Sequence, residues 1–132
     1  MQALHRHGPL IGRILIALIF ILSGFSKIGG FAATSGYIAS KGLPLPDLVT
    51  ILTIIIELGG GLLIVVGYRA RLAAAALFLF TLAAAFLFHD FWAASPDMAQ
   101  NQMIHFMKNI SMAGGLLFVL VHGSGPHRVK AD

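Results

Sequence analysis

The chain has 132 residues, one domain's worth, of which 58% are hydrophobic and 11% charged, with a mean hydropathy of +0.88. A water-soluble domain of this size carries about a quarter of its residues as charges, so the outside of this one faces something other than water. The net charge of +4 is spread over segment ends rather than gathered in a patch, which argues against nucleic acid as a partner, and the absence of cysteine excludes disulfide exchange, thiolate nucleophiles and Cys-ligated metals.

Four apolar runs predict an all-α, polytopic membrane protein: a single domain over 1–132 forming a four-transmembrane-helix bundle, with helices at about 10–28, 48–68, 72–88 and 104–121. Each approaches the ~20 residues that cross ~30 Å of hydrocarbon, where only internally hydrogen-bonded backbone is tolerated. A soluble bundle would need a polar stripe on every helix, and the third run, Ala73 to Phe80, has none.

The first run ends at Gly29-Gly30. The connection through Gly36, Gly42, Pro44 and Pro46 exceeds a tight turn and has room for a short re-entrant or interfacial piece. Gly67-Tyr68-Arg69-Ala70-Arg71 is a basic turn that makes the second and third helices a hairpin, and His89 to Gln102 is a polar loop. Arg6, Arg13, Arg69, Arg71, Arg128 and Lys130 all fall on one side, so the positive-inside rule places both termini on the cytoplasmic side. Trp92 and Phe91 suit an interfacial belt at the outer end, and Tyr68 suits one at the inner end. A cleavable leader ending at Ala32-Ala33 is the competing reading, but Lys27 interrupts the apolar run first.

Polar groups inside the spans carry the functional argument, because a charge near the bilayer centre costs at least ~2.5–3.5 kcal/mol. Glu57 lies about halfway along the second helix, and at 100° per residue it shares a face with Thr50, Thr53, Gly60, Gly61 and Ile64. The first helix has a matching stripe of Arg13, Ala17, Phe20, Gly24 and Lys27, with Ser23 beside it. There Arg13 and Lys27 are each near enough to an end to snorkel. The fourth helix opens with Asn101, Gln102, His105, Lys108 and Asn109.

Counting residues inward at 1.5 Å each puts Glu57 ~13 Å and Lys108 ~6 Å below the outer boundary. This predicts a Glu57–Lys108 ion pair with Ser23, Thr53 and Asn109 as its hydrogen-bond partners. The candidate polar pocket is Ser23, Lys27, Thr53, Glu57, Lys108 and Asn109, with Glu57 and His105 as the proton-exchanging candidates. A packing role for Glu57 competes with a functional one, since buried polar groups also fix helix register. His89 and His105 have no metal-ligand spacing with Asp90 or Asp97, so no metal site is expected. His5, His7, His122 and His127 read as solvated. The run Gly59-Gly60-Gly61 follows no strand and precedes no Gly-Lys-Ser/Thr, so it reads as close helix packing rather than a phosphate loop.

These residues resemble the DoxX family of small bacterial membrane proteins. The resemblance rests on Arg13, Phe20, Ser23-Gly24 and Lys27 in the first helix, and on Glu57, Gly60-Gly61, Gly67 and Arg69 in and after the second. In the fourth it rests on Gln102, Phe106, Lys108-Asn109 and Gly114-Gly115. It runs from about Arg13 to Val121. It implies a four-helix inner-membrane protein, in a family named for membrane quinol oxidation whose relatives accompany thiosulfate–quinone oxidoreductase. No flavin, haem or Cys motif is present, so the chain reads as an accessory or quinone-facing subunit of a membrane redox system rather than a self-sufficient enzyme. Its partners are then the lipid bilayer, membrane redox subunits and, as a further possibility, a second copy in a homo-oligomer. Two alternatives stand beside this. One is a carrier for a small solute or lipid-like molecule. The other is a structural partner organising another membrane complex, for which Gly8-x-x-x-Gly12 and Ala73 to Ala76 offer contact surfaces.

Overall fold

A computed structural model describes residues 1–132 as an all-helical bundle. Helix α1 spans Gln2–Gly29, α2 Phe31–Ser40, α3 Pro46–Val66, α4 Ala70–Phe88 and α5 Pro96–His122, with a 3₁₀ turn at Phe91–Ala93. Four of these (α1, α3, α4 with its 3₁₀ extension, and α5) are long and apolar enough to cross a membrane. The outward surface agrees: Leu15, Leu79 and Phe118 are 66%, 67% and 71% exposed, a cost in water that lipid removes.

Three boundaries differ from the sequence reading. Helix α1 starts at Gln2 rather than near Leu10, continuing through Pro9 although that residue lacks a backbone donor and crowds the carbonyl four residues back. Helix α5 starts at Pro96, where proline suits the first turn, rather than near Ile104. The connection after α1 contains α2, a ten-residue helix.

The chain runs up α1, down α3, up α4 and down α5, so both chain ends lie at one end of the bundle, here the terminal end; the other is the distal end. Ala17, Phe20, Ile64, Ala73, Ala74, Leu77 and Leu116 form the core. Three alanines sit among its larger side chains and let the helices pack closely, which is how helices associate in lipid. The predicted inner face of α3 is borne out: Thr50, Thr53, Glu57, Gly60, Gly61 and Ile64 are all buried. Successive steps of four residues would drift that face by about 40° each around a regular helix. A π turn at Ile55–Gly59, which winds more slowly, keeps Glu57 in line.

At the terminal end, α3 stops at Gly67 in the left-handed conformation (φ 73°), and Arg69 adopts it too (φ 48°). A Cβ at Gly67 would also lie 2.9 Å from Arg128 Cα. The tail after Gly123 folds back here. Val129 and Lys130 amides donate to Val66 and Gly67 carbonyls at 3.0 and 3.3 Å. The Asp132 carboxylate accepts from the Ala70 amide (3.0 Å) and from the Ser124 amide and hydroxyl (2.7 Å each).

Burial pushes the Asp132 carboxyl up, but the bonds from Ser124 and Ala70, with Arg71 nearby, outweigh it and hold the group below its ordinary 3.8. A carboxyl lowered on folding stabilises the clasp fully above that ordinary value, and the contribution disappears as pH falls through the lowered one. At neutral pH, Asp132→Asn is therefore expected to accelerate hydrogen exchange at the Val129 and Lys130 amides. Unchanged protection would mean the carboxylate does not hold the tail.

Arg13 does not snorkel. It is 2% exposed, its Nη1 donates to the Ile64 carbonyl at 3.1 Å and its Nη2 to the His127 carbonyl. His7 is exposed, as expected, and its ring stacks on that of His127 at 5.2 Å.

Candidate functional site

Ser23 and Lys27 stand one turn apart on α1, four residues being the spacing that aligns side chains on a helix face. Helical side chains lean toward their own N-terminus. On α1 that direction is inward from the distal end, and on antiparallel α3 it is outward, so Lys27 and Glu57 lean toward each other. Lys27 Nζ donates to Glu57 Oε1 at 2.5 Å and to Ser23 Oγ at 2.6 Å. The Glu57 side chain is 3% exposed and that of Lys27 26%.

The predicted Glu57–Lys108 pair is thereby corrected. On α5 the same lean carries the Lys108 side chain toward the distal end, away from Glu57, and its Nζ lies 3.4 Å from His105 Nδ1. Residue counting gave the depth of each Cα but not the direction of the side chain.

The pair borders a cavity of about 290 Å³ in the distal half of the bundle. All six residues of the sequence-derived pocket line it: Ser23, Lys27, Thr53, Glu57, Lys108 and Asn109. Of the expected hydrogen-bond partners, Ser23 is engaged with the pair through Lys27, while the Asn109 amide donates instead to the Thr81 carbonyl at 3.4 Å. Phe20, Phe80, Phe88 and Met112 supply apolar wall.

His105 does not line the cavity; it stacks behind His89, ring centroids 5.2 Å apart, and it is His89 that borders the space. His89 Nδ1 meets Gln102 Oε1 at 2.9 Å, so with that oxygen accepting, Nδ1 carries a proton. No three His, Asp or Glu side chains converge on a point that would hold a metal ion.

Helix α2 roofs the cavity with Thr34, Tyr37 and Ile38. Three contacts hold it down: Tyr37 Oη donates to the Phe88 carbonyl at 3.1 Å, Ser35 Oγ to Asp47 Oδ1 at 2.5 Å, and Lys41 Nζ to Asp90 Oδ1 at 3.0 Å. The bond to Asp90 raises the Lys41 ammonium above its ordinary value.

Sequence reasoning missed this roof, and it missed Thr81, whose hydroxyl is buried without a partner at the cavity wall. A signal for Thr81 existed. It is the only polar side chain inside the apolar run of α4 and stands two helical turns before His89, on the same face.

A model of the DoxX family matches residues 8–90. The chain belongs to the DoxX family. Two curated relatives extend the likeness past the matched region. Inner membrane protein YphA of Escherichia coli (strain K12) is 40% identical over 116 residues, covering 88% of this chain and 83% of its own. Inner membrane protein YqjF of the same organism is 36% identical over 129 residues, covering 98% and 94%. No solved structure matches. Within this DoxX chain, the motif residues of α1 and α3 do identifiable work. Ser23, Lys27 and Glu57 make the ion pair and its hydrogen bond, Gly24 and Gly61 let α1 and α3 approach closely, and Gly60 lets α3 approach Leu77 of α4.

Proposed function

We propose that this DoxX protein is an inner-membrane subunit with both termini in the cytoplasm, whose distal cavity receives the headgroup of a quinone in a membrane redox system. The names of its relatives support the membrane assignment. The orientation follows from charge: Arg6, Arg13, Arg69, Arg71, Arg128 and Lys130 belong to the terminal end, while Lys41 at the other end is paired with Asp90.

The observation that carries the ligand reading is the Lys27–Glu57 pair at the wall of an aromatic cavity that also borders the unpartnered Thr81 hydroxyl. A quinone ring is flat and apolar with two carbonyl acceptors, and this lining would suit it: Lys108 could donate to a carbonyl, and Phe20, Phe80 and Phe88 would pack against the ring. Bound there, the quinone supplies two-electron carrier chemistry, with electrons delivered by a partner subunit. The chain itself holds a proton at His89 Nδ1 and an ion pair at Glu57 Oε1, and α2 roofs the space beside them.

Titration of the purified protein with a short-chain benzoquinone tests this. Saturable binding is expected, weakened about tenfold or more by Lys108→Met, which removes the donor to a carbonyl. Absence of saturation would remove the quinone reading and favour a carrier or an organising partner.

A further inference from the structure

Arg13 presents a problem that the distal cavity does not address. Its guanidinium is almost wholly buried, yet no carboxylate lies within ion-pairing distance, the two ion pairs of the chain being Lys27–Glu57 and Lys41–Asp90. Two backbone carbonyls take its terminal nitrogens, and Nε has no partner. Asp132 attracts it only through space, being already occupied by Ala70, Ser124 and the nearby Arg71.

Arg13 also lines a groove of about 510 Å³ between α1 and α5 at the terminal end, floored by Gly12 and Gly115 and walled by Leu15, Ile16 and Phe118. The groove runs to His122, about 10 Å along α5 from Gly115. No helix covers it: Leu15 and Phe118 are largely exposed, and a Cβ on Gly12 would meet nothing within 4 Å.

We propose that this groove seats an acyl chain of an anionic glycerophospholipid, with its phosphate at His122, where it compensates the buried charge of Arg13. Two arguments select this occupant. The groove lies on a membrane-spanning seam, so acyl chains are what surrounds it. The terminal end carries Arg6, Arg13, Arg69, Arg71, Arg128 and Lys130 against Asp132, and a charge in a low-dielectric setting acts over several ångströms. The proposal is independent of the distal cavity and its ligand.

Native mass spectrometry of the delipidated protein, offered phosphatidylglycerol or phosphatidylcholine of matched chains, tests it. Phosphatidylglycerol is expected to be retained about tenfold better, and Gly12→Leu, whose Cβ meets no neighbour and whose side chain enters the groove, is expected to abolish that preference. Phe118→Ala, which removes a wall, should weaken retention in the same direction and serves if Gly12→Leu does not fold. Equal retention of the two lipids would overturn the proposal. So would full retention by the folded variants, or displacement of the lipid by inorganic phosphate, which would indicate a free-anion site.

Discussion

Lys27→Met is expected to destabilise the bundle by about 3 kcal/mol, because it leaves the Glu57 carboxylate buried without its counter-ion. Glu57→Gln should cost less, about 1–2 kcal/mol, since Lys27 is a quarter exposed, keeps Ser23 and has a flexible stem. The double variant should fall short of the sum by about 2 kcal/mol, the coupling of two groups in direct contact. Combining Glu57→Gln with Lys108→Met, in contrast, should be additive, because the Lys108 side chain leans toward His105. Reversible unfolding in mixed micelles, run on all the variants, reads both cycles. Strong coupling to Lys108 with none to Lys27 would reverse the assignment made here.

The second large effect concerns the approach of α1 to α3. An added Cβ on Gly24 would lie 2.6 Å from Leu58 Cγ and 3.3 Å from the Leu58 amide nitrogen. Leu58 can turn its side chain, but its backbone cannot move without separating the helices. Gly24→Val is expected to cost about 3 kcal/mol and, being one turn from Lys27, to pull the ion pair apart. Leu58→Ala should recover part of that loss by vacating the side-chain space. Gly114→Val provides the contrast: nothing lies within 4 Å of a Cβ there, so the change should stay within about 1 kcal/mol. Equal losses at Gly24 and Gly114 would mean that both glycines act through backbone freedom rather than contact.

What the sequence disclosed follows from periodicity. The burial of Thr53, Glu57, Gly60 and Gly61 was legible because a 100° step sorts residues onto faces, and a single π turn does not scramble that order. The membership of the distal cavity was legible for the same reason. The pairing inside it was not, since counting locates a Cα while the lean of the side chain depends on which way its helix runs.

Helix α2 was legible only as room for a short piece in a long connection. Phe31–Ser40 mixes Gly36, Ser35 and Thr34 with apolar residues, and its docking depends on the partners that Tyr37, Ser35 and Lys41 find elsewhere in the chain. The buried setting of Arg13 likewise depends on His127, more than a hundred residues away, and no local pattern announces it.

If the space beside Lys27 and Glu57 is a ligand site rather than a packing defect, filling it should abolish binding, and the benzoquinone titration repeated on Ala84→Trp decides this. Ala84 lines the cavity without belonging to the ion pair or its hydrogen bonds, so an indole there is expected to occupy the space and leave the Lys27–Glu57 contact in place. Saturable binding is expected for the unmodified protein and none for Ala84→Trp at unchanged helicity. Undiminished binding to the folded variant would show that the quinone does not occupy this cavity.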